Sequence, residues 1–296
     1  MGRSHRDTIV VVEAELTEVE RHADEQFIMR LHAPEIAGRA EPGTFVHLTC
    51  SDALPMRRPI SLQRVDAETG MIEILFKTHG VGLTALSQQQ AGAKLSVMGP
   101  IGKPFHPSGE RPITLLVGGG VGIPPMIYLA EFFARDRETE WQPMVFMGSE
   151  IAFPFATQPA DDALSAMPAD ATHTLVSMQA LGIPARLASK SAIAGAHDGY
   201  VTDLADHWLE AQDSATKERC EIFACGPTPM LEATARVAQK HGVACQVSLE
   251  EYMACAVGGC AGCVVAVHEN EGVAMRRVCV DGPVFDASQV FPPTVA

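Results

Sequence analysis

The sequence is short of basic residues. Its 296 residues include 22 Lys and Arg against 36 Asp and Glu, which gives a formal net charge of −14. Nucleic acids and anionic membrane surfaces attract positively charged proteins, so this balance argues against both as partners.

Long apolar segments are also missing. The sequence contains no run of about 18 uninterrupted apolar residues, which is the length needed to span a membrane. Its first residues lead into an alternating strand pattern instead of the apolar core of a signal peptide. Internal repeats and low-complexity tracts are absent. A hydrophobic content of 47 % with 20 % charged residues is that of an ordinary soluble globular chain, long enough for two or three domains.

Eight cysteines are present, and half of them lie close together near the end of the chain. Their spacing is C-x4-C-x2-C-x15-C, formed by Cys255, Cys260, Cys263 and Cys279. Four thiolates in this order predict a 2Fe–2S cluster of the plant-type ferredoxin kind. The glycines between them (Gly258, Gly259 and Gly262) suit a loop that folds tightly around an inorganic core, because glycine adopts positive φ at little cost.

Two other interpretations of these cysteines stay open. A structural zinc site also uses four thiolates, although it usually has two short knuckles, and only one short pair exists here. Four unrelated buried cysteines are the third interpretation. The remaining cysteines are scattered, which favours a reducing compartment, so we expect a cytoplasmic protein.

The first hundred residues predict a small antiparallel barrel, with several short β-rich runs and one helix near residues 79–87. Within it, Arg58-Pro59-Ile60-Ser61 is either a ligand segment or a plain edge-strand entry, because proline suits edge strands. Gly80 and Gly82 open the helix, where backbone N–H groups can bind an anion. A simple turn explains them equally well.

From about residue 111 the pattern changes to buried parallel strands that alternate with helices. The strand 112–117 runs into a glycine-rich loop, 118–126, and then a helix over 127–135, which is the arrangement of a dinucleotide site. The G-x-G-x-x-G fingerprint is not matched, so a bare turn stays open. A strand over 221–225 ends at Gly226-Pro227, where doubly wound sheets bind ligands, although Cys225 is alternatively a buried apolar side chain.

Three further segments have weaker patterns. We expect another strand over 172–177, and surface loops over 156–170 and 182–199.

Taken in this order, the motifs resemble those of the ferredoxin reductase-like flavoprotein superfamily. They are most similar to the electron-transfer subunits of dihydroorotate dehydrogenase B, whose closing segment resembles residues 278–285. That resemblance implies an FAD-binding β-barrel domain (1–109), an NAD(P)-binding α/β domain with a doubly wound parallel sheet (110–244) and a small 2Fe–2S module (245–296).

The resemblance also implies the site residues. The arginine of the flavin motif would meet the FAD diphosphate, and its serine would lie near the reactive edge of the flavin. The family usually has threonine directly after the second glycine, whereas this chain has leucine there and threonine next. The FAD residues would be Arg58, Pro59, Ile60, Ser61, Leu75, Phe76, Lys77, Gly80, Gly82, Leu83 and Thr84. The nicotinamide residues would be Gly118, Gly119, Gly120, Gly122, Pro124, Cys225, Gly226, Pro227 and Met230. Ser61 and Cys225 would be the catalytic pair.

The function implied is electron transfer from NADH through FAD and the cluster to a partner dehydrogenase. By resemblance, the partner is dihydroorotate dehydrogenase with its own flavin, in a heterotetramer of pyrimidine biosynthesis. A flavin can connect a two-electron donor to a one-electron carrier. NADH is preferred over NADPH because no Arg or Lys follows Gly148-Ser149-Glu150 to hold a 2′-phosphate.

Two other functions stay open. One is the NAD(P)H reductase component of a hydrogenase, a transhydrogenase or an oxygenase. The other is a non-catalytic, zinc-containing scaffold protein.

Overall fold

The computed structural model describes residues 8–162 and 164–293. The chain divides into two compact units. We call the first the barrel unit; it extends to Phe105 and takes in Leu249–Val284. The second, the sheet unit, covers His106–Ser248 and the segment from Phe285 onward.

The barrel unit contains a closed antiparallel barrel, which confirms the prediction for this part of the chain. Its strands follow the order β1-β2-β5-β4-β3-β6, and the interior is filled by fully buried side chains such as Leu16, Met29, Leu62 and Ile74. Closure pairs every strand, so no sheet edge is left open. The elements are β1 (Val10–His22), β2 (Gln26–His32), α1 (Pro34–Ala37), β3 (Phe45–Leu48), β4 (Arg58–Asp66), β5 (Met71–Lys77), α2 (Gly80–Leu86) and β6 (Lys94–Ile101).

The sheet unit is built on a parallel sheet, as predicted. The strand order is β11-β8-β7-β12-β13-β16, and the first five strands are parallel. Its elements up to residue 248 are β7 (Ile113–Gly119), α3 (Ile123–Arg135), β8 (Gln142–Gly148), β9 (Thr157–Pro159), β10 (His173–Leu175), α4 (Val176–Ala180), β11 (Ala185–Ala188), α5 (Val201–Glu210), α6 (Ser214–Glu218), β12 (Cys220–Cys225), α7 (Thr228–His241) and β13 (Ala244–Ser248).

The sheet is doubly wound. From β7 the chain moves outward to β8 and β11, and it then returns to β12 and continues to β13 on the other side. Because crossovers between parallel strands are right-handed, reversing the direction places α3 on the opposite face from α5 and α7. The reversal leaves a topological switch point between β7 and β12, at the carboxyl ends of these strands.

The C-terminal part of the chain forms a small β-hairpin and ends beside the parallel sheet. Between the hairpin and the last strand lies a short helix that contains Cys279. These elements are β14 (Val264–Glu269), β15 (Gly272–Arg277), α8 (Val278–Asp281), β16 (Val284–Asp286) and α9 (Ala287–Val290).

Four sequence-based expectations for the sheet unit were wrong in detail. Helix α3 begins at Ile123 instead of residue 127, because prolines are well accommodated in the first turn of a helix. The strand expected over 172–177 ends at Leu175 and pairs with β9 in a separate two-stranded sheet, so part of the 156–170 loop is strand. The loop expected over 182–199 contains the edge strand β11.

Strand β11 escaped detection because a charged residue lies at its centre. Arg186 is only 5 % exposed, and its two terminal nitrogens donate to the two carboxylate oxygens of Asp162 at 3.0 and 2.7 Å. This bidentate pair compensates the buried charge, which would otherwise be costly. A partner distant in sequence therefore allows an arginine inside a strand.

Across the two stretches that the structure describes, no helix combines the length and the apolar character needed to cross a membrane.

We predict that Asp162→Asn lowers the free energy of unfolding of the sheet unit by about 3 kcal/mol, because Arg186 would stay buried without a counter-charge. Urea denaturation measures the change. The control is Asp198→Asn, which removes the exposed ion pair with Lys190 (3.1 Å) and should cost less than about 1 kcal/mol. Equal effects of the two substitutions would contradict this account.

Candidate functional site

The predicted flavin segment and the predicted glycine turn meet in the barrel unit. Arg58 begins β4, and a Cβ atom added at Gly82 would lie 2.6 Å from its Nε. Gly82 is therefore the reason that the guanidinium can lie against the first turn of α2. Gly80 has φ +63, a conformation that favours glycine. A cation beside an open helix start suits a diphosphate, so these residues fit FAD.

The other predicted flavin residues lie on neighbouring elements. Pro59 and Ser61 are half-buried on β4, and Ile60 is buried. In β5, Leu75 is buried, and Phe76 stacks on Phe27 with ring centroids 5.6 Å apart, so its ring belongs to the barrel packing. Three residues have more exposed positions: Lys77 and Thr84 are exposed and Leu83 is half-buried.

His47 lies between the flavin segment (residues 58–61) and the cysteine loop (residues 255–263). It is 1 % exposed on β3, where it pairs with Pro59. Burial and the nearby charge of Arg57 lower the pKa of His47 to about 4, so the ring is neutral. The backbone acceptors of Arg57 and Met253 act in the opposite direction and raise the pKa of the ring. Within the described ranges, neither ring nitrogen forms a hydrogen bond of normal geometry. Met253 is two residues before Cys255, which brings the flavin segment and the cysteine loop close together.

The four predicted ligand cysteines come together in the barrel unit. Cys255 is half-buried, Cys260 is exposed, and Cys263 and Cys279 are buried. The thiols interact as two pairs, Cys255 with Cys260 and Cys263 with Cys279, and Cys255 also acts on Cys279. The cysteine loop and α8 together therefore present four sulfurs to one region.

The arrangement of the sulfurs fits two metal ions better than one. A tetrahedral zinc with bonds of about 2.3 Å would hold all four sulfurs roughly 3.8 Å apart. In the described part of the chain, no three of these sulfurs lie within 4.8 Å of one another. Two pairs of thiols instead suit the two irons of a 2Fe–2S cluster.

The loop is also prepared for thiolates. Partial burial raises the pKa of Cys255, but backbone N–H groups of Val257, Cys260 and Gly259 outweigh it and lower the pKa to about 6. Burial, followed by the neighbouring thiols of Cys263 and Cys255, raises the pKa of Cys279 to about 12. Bound metal cations would instead lower the pKa of Cys279, because a coordinated thiol is deprotonated outright.

Only one of the three loop glycines has the predicted left-handed backbone. Gly258 has φ +79, whereas the other left-handed positions are Ala256 (φ +54) and Ala261 (φ +52). Gly262 has a different role, since its N–H donates to the sulfur of Cys260 at 3.4 Å.

One residue beside the cysteine loop was missed at the sequence level. Arg277 ends β15, and its Nη1 donates to the carbonyl of Gly258 at 3.2 Å. Its Nε donates to Asp281 at 3.1 Å. The basic residues immediately before the Val278-Cys279 dipeptide were the signal that could have identified it.

The predicted nicotinamide residues meet at the switch point of the sheet unit. Gly118 at the end of β7 pairs with Cys225 at the end of β12. A Cβ atom at Gly122 would overlap the carbonyl of Cys225, and one at Gly119 would overlap the sulfur of Met230. Close approach of the Cys225 backbone therefore requires glycine at position 122, whereas at position 119 the neighbour is the flexible end of the Met230 side chain.

Three features complete this edge of the sheet. Gly120 (φ +55) and Gly226 (φ +157) have left-handed backbones. Pro124 is buried in the first turn of α3, and Pro227 caps α7. The open N-terminus of the long helix α3 beside glycine backbone fits the pyrophosphate of a dinucleotide.

A separate group of possible metal ligands joins α5 and α7 and consists of Asp206, Glu210 and His241. Lys240 donates to Asp206 at 2.9 Å and to Glu210 at 2.7 Å. The Lys240 ammonium group therefore supplies the positive charge, and these side chains form an ion-pair network between α5 and α7.

Comparison with known proteins matches the same region to a known domain. Residues 250–291 match the model of the iron–sulfur cluster binding domain of dihydroorotate dehydrogenase B. Over most of the chain, the protein is similar to subunits named dihydroorotate dehydrogenase B (NAD(+)), electron transfer subunit. The relative from Caldanaerobacter subterraneus subsp. tengcongensis is 33 % identical over 86 % of this chain and 88 % of its own length. The chain belongs to this family. The relative from Shouchella clausii is 31 % identical over 93 % of this chain and 94 % of its own length.

Solved structures with the same fold include other reductases. An NADH-dependent reduced ferredoxin–NADP oxidoreductase has a TM-score of 0.74 at 24 % identity, over 98 % of this chain and 91 % of that one. A ferredoxin reductase of carbazole 1,9a-dioxygenase has a TM-score of 0.60 at 24 % identity, over 79 % of this chain and 67 % of that one. At these identities the likeness shows the fold, and it agrees with the barrel and the parallel sheet found in this member of the dihydroorotate dehydrogenase B family.

We predict that Gly82→Ala weakens FAD binding at least tenfold, about 1.4 kcal/mol. The added methyl group would push away the flexible end of Arg58, so the diphosphate would lose its cation while the barrel stays folded. FAD titration of the apoprotein, with circular dichroism as the folding check, measures this. Gly109→Ala is the control because no atom lies within 4 Å of its added Cβ; unchanged affinity in Gly82→Ala would exclude Gly82 from the FAD site.

Proposed function

We propose that this protein is the electron-transfer subunit of an NAD-linked dihydroorotate dehydrogenase, an oxidoreductase component that serves pyrimidine biosynthesis. The observation that carries the proposal is the paired arrangement of four thiols in the same unit as the Arg58–Gly82 site, with His47 between them. A flavin site and a cluster site in one compact unit allow electrons to pass from one to the other.

The chain itself contributes binding and positioning. When bound, NADH supplies an electron pair, which FAD accepts and passes on singly to the cluster. Arg58 would offset the charge of the diphosphate, and the Ser61 hydroxyl would lie near the reactive edge of the flavin. The glycines after β7 would let the dinucleotide approach the N-terminus of α3, and Cys225 would border the nicotinamide.

The functional division we propose keeps the sequence-based boundaries: an FAD domain over 1–109, an NAD domain over 110–244 and a cluster module over 245–296. The compact units divide the chain differently, because Leu249–Val284 belong to the barrel unit. The acceptor is a catalytic dehydrogenase subunit that carries its own flavin, in a heterotetramer. A cytoplasmic location suits this assignment, because the cluster requires thiols that stay reduced. The zinc scaffold is disfavoured by the paired sulfurs, and the names of the relatives favour dihydroorotate dehydrogenase over other redox partners.

The outer face of the β14–β15 hairpin is the surface we assign to the partner. Val264 is 38 % exposed, Val273 is 60 % exposed and Met275 is 61 % exposed, and the strand register places all three on one face. A two-stranded hairpin is marginally stable in water and gains from being covered. Its strands begin and end beside Cys263 and Cys279, so a partner on this face would lie near the cluster.

We predict that substitution of a cluster ligand removes the iron without unfolding the protein. Cys260→Ser replaces the exposed thiol with a poor iron ligand, so iron content and the electron paramagnetic resonance signal should fall to less than about one tenth. Cys245→Ala is the control, since this buried thiol lies outside the cysteine loop and its loss should leave the iron content unchanged. Zinc in place of iron in the unsubstituted protein would refute the proposed function.

We also predict that Met275→Asp weakens binding of the catalytic subunit at least tenfold, about 1.4 kcal/mol, because a charge would be buried on the apolar face. Titration calorimetry with the purified catalytic subunit measures this. Val11→Asp is the matched control, as Val11 is 60 % exposed on barrel strand β1. If both variants bind like the unsubstituted protein, the hairpin face is not the docking surface.

A further inference from the structure

We infer that the ion pair of Arg277 and Asp281 sets the reduction potential of the cluster, with the guanidinium favouring the reduced form and the carboxylate opposing it. The inference rests on the cluster assigned under the proposed function.

Arg277 and Asp281 flank the fourth ligand, Cys279, in the chain. Arg277 is the last residue of β15 and Asp281 the last of α8, so Cys279 lies midway between them in the chain. The backbone N–H of Arg277 donates to a carboxylate oxygen of Asp281 at 2.8 Å, and its Nε donates to the same oxygen at 3.1 Å. Its Nη2 approaches the other oxygen at 3.4 Å. Both charges are therefore held at fixed positions beside Cys279.

The guanidinium also faces the other side of the site. Its Nη1 donates to the carbonyl of Gly258, in the loop between Cys255 and Cys260. The thiol groups of Cys279 and Cys263 are close enough to Arg277 to interact with it electrostatically once they are deprotonated. One cation therefore contacts the loop of the first two ligands and interacts electrostatically with the other two.

Partial burial makes this arrangement effective. The side chain of Arg277 is 33 % exposed and that of Asp281 is 23 % exposed, so water screens them less than it screens surface charges. A cluster held by four thiolates is negatively charged, and reduction adds one electron, delivered from NADH, without forming or breaking a bond. A nearby cation favours that added charge, and a nearby anion disfavours it.

Arg276 provides a matched comparison. It is the neighbouring arginine on β15, but its side chain points to the opposite face of the hairpin, where its Nε donates to Glu269 at 2.7 Å. It has the same charge and almost the same sequence position, without the contact to the cysteine loop, and its charge acts on Asp281 less than that of Arg277 does.

The test is a redox titration of the cluster-loaded, full-length chain, followed by electron paramagnetic resonance. Arg277→Gln leaves Asp281 unbalanced and should lower the ratio of reduced to oxidised cluster about tenfold at a given potential, equivalent to about 59 mV. Asp281→Asn leaves Arg277 unbalanced and should shift the ratio by a similar factor in the opposite direction. Arg277→Lys should stay near the unsubstituted value, and Arg276→Gln should change the ratio much less than Arg277→Gln does.

Opposite signs for the two members of the pair separate an electrostatic effect from a structural one, since a disturbed loop would shift both variants in the same direction. Shifts of the same sign, no shift in either, or an equal shift in Arg276→Gln would overturn the inference. If Arg277→Gln loses its iron, the direction of the shift in Asp281→Asn and the unchanged ratio in Arg277→Lys test the inference instead. A missing 2Fe–2S signal in the unsubstituted protein would instead refute the cluster itself.

Discussion

Four thiol groups, three in the cysteine loop and one in α8, repel one another as soon as they lose their protons. This repulsion is the constraint on which the C-terminal part of the barrel unit depends. Backbone N–H groups lower the pKa of Cys255, but burial and neighbouring thiols raise that of Cys279. The loop therefore needs metal cations to become stable with all its ligands charged. Arg277 adds a fixed cation from outside the ligand set.

Anionic groups are handled differently in the two units. In the barrel unit, a guanidinium comes close to the start of α2 because Gly82 has no side chain. In the sheet unit, the predicted site consists of glycine backbone at the switch point and the N-terminus of α3. The difference suits the roles we propose, since FAD remains bound while the dinucleotide must leave after each hydride transfer.

Electron transfer between two cofactors requires them to be held at a constant separation. The flavin segment and the cysteine loop belong to the same compact unit, although nearly two hundred residues separate them in the chain. The buried ring of His47 interacts with the backbone of Arg57, next to the flavin segment, and with the backbone of Met253, next to the cysteine loop. Packing within one unit can thus fix a distance that the chain connectivity leaves free.

The sequence by itself determined the features that depend on neighbouring residues. The four cluster cysteines, the alternating barrel strands and the glycine turns are all visible in short spacings, because ligand geometry and strand periodicity act locally. Only the tertiary structure decided the features that need a distant partner. Arg186 can lie inside β11 because Asp162 compensates its charge, and Arg277 is important because Gly258 lies beside it. Spacing along the chain cannot reveal such pairs, since the energy that justifies them arises only when folding brings the partners into contact.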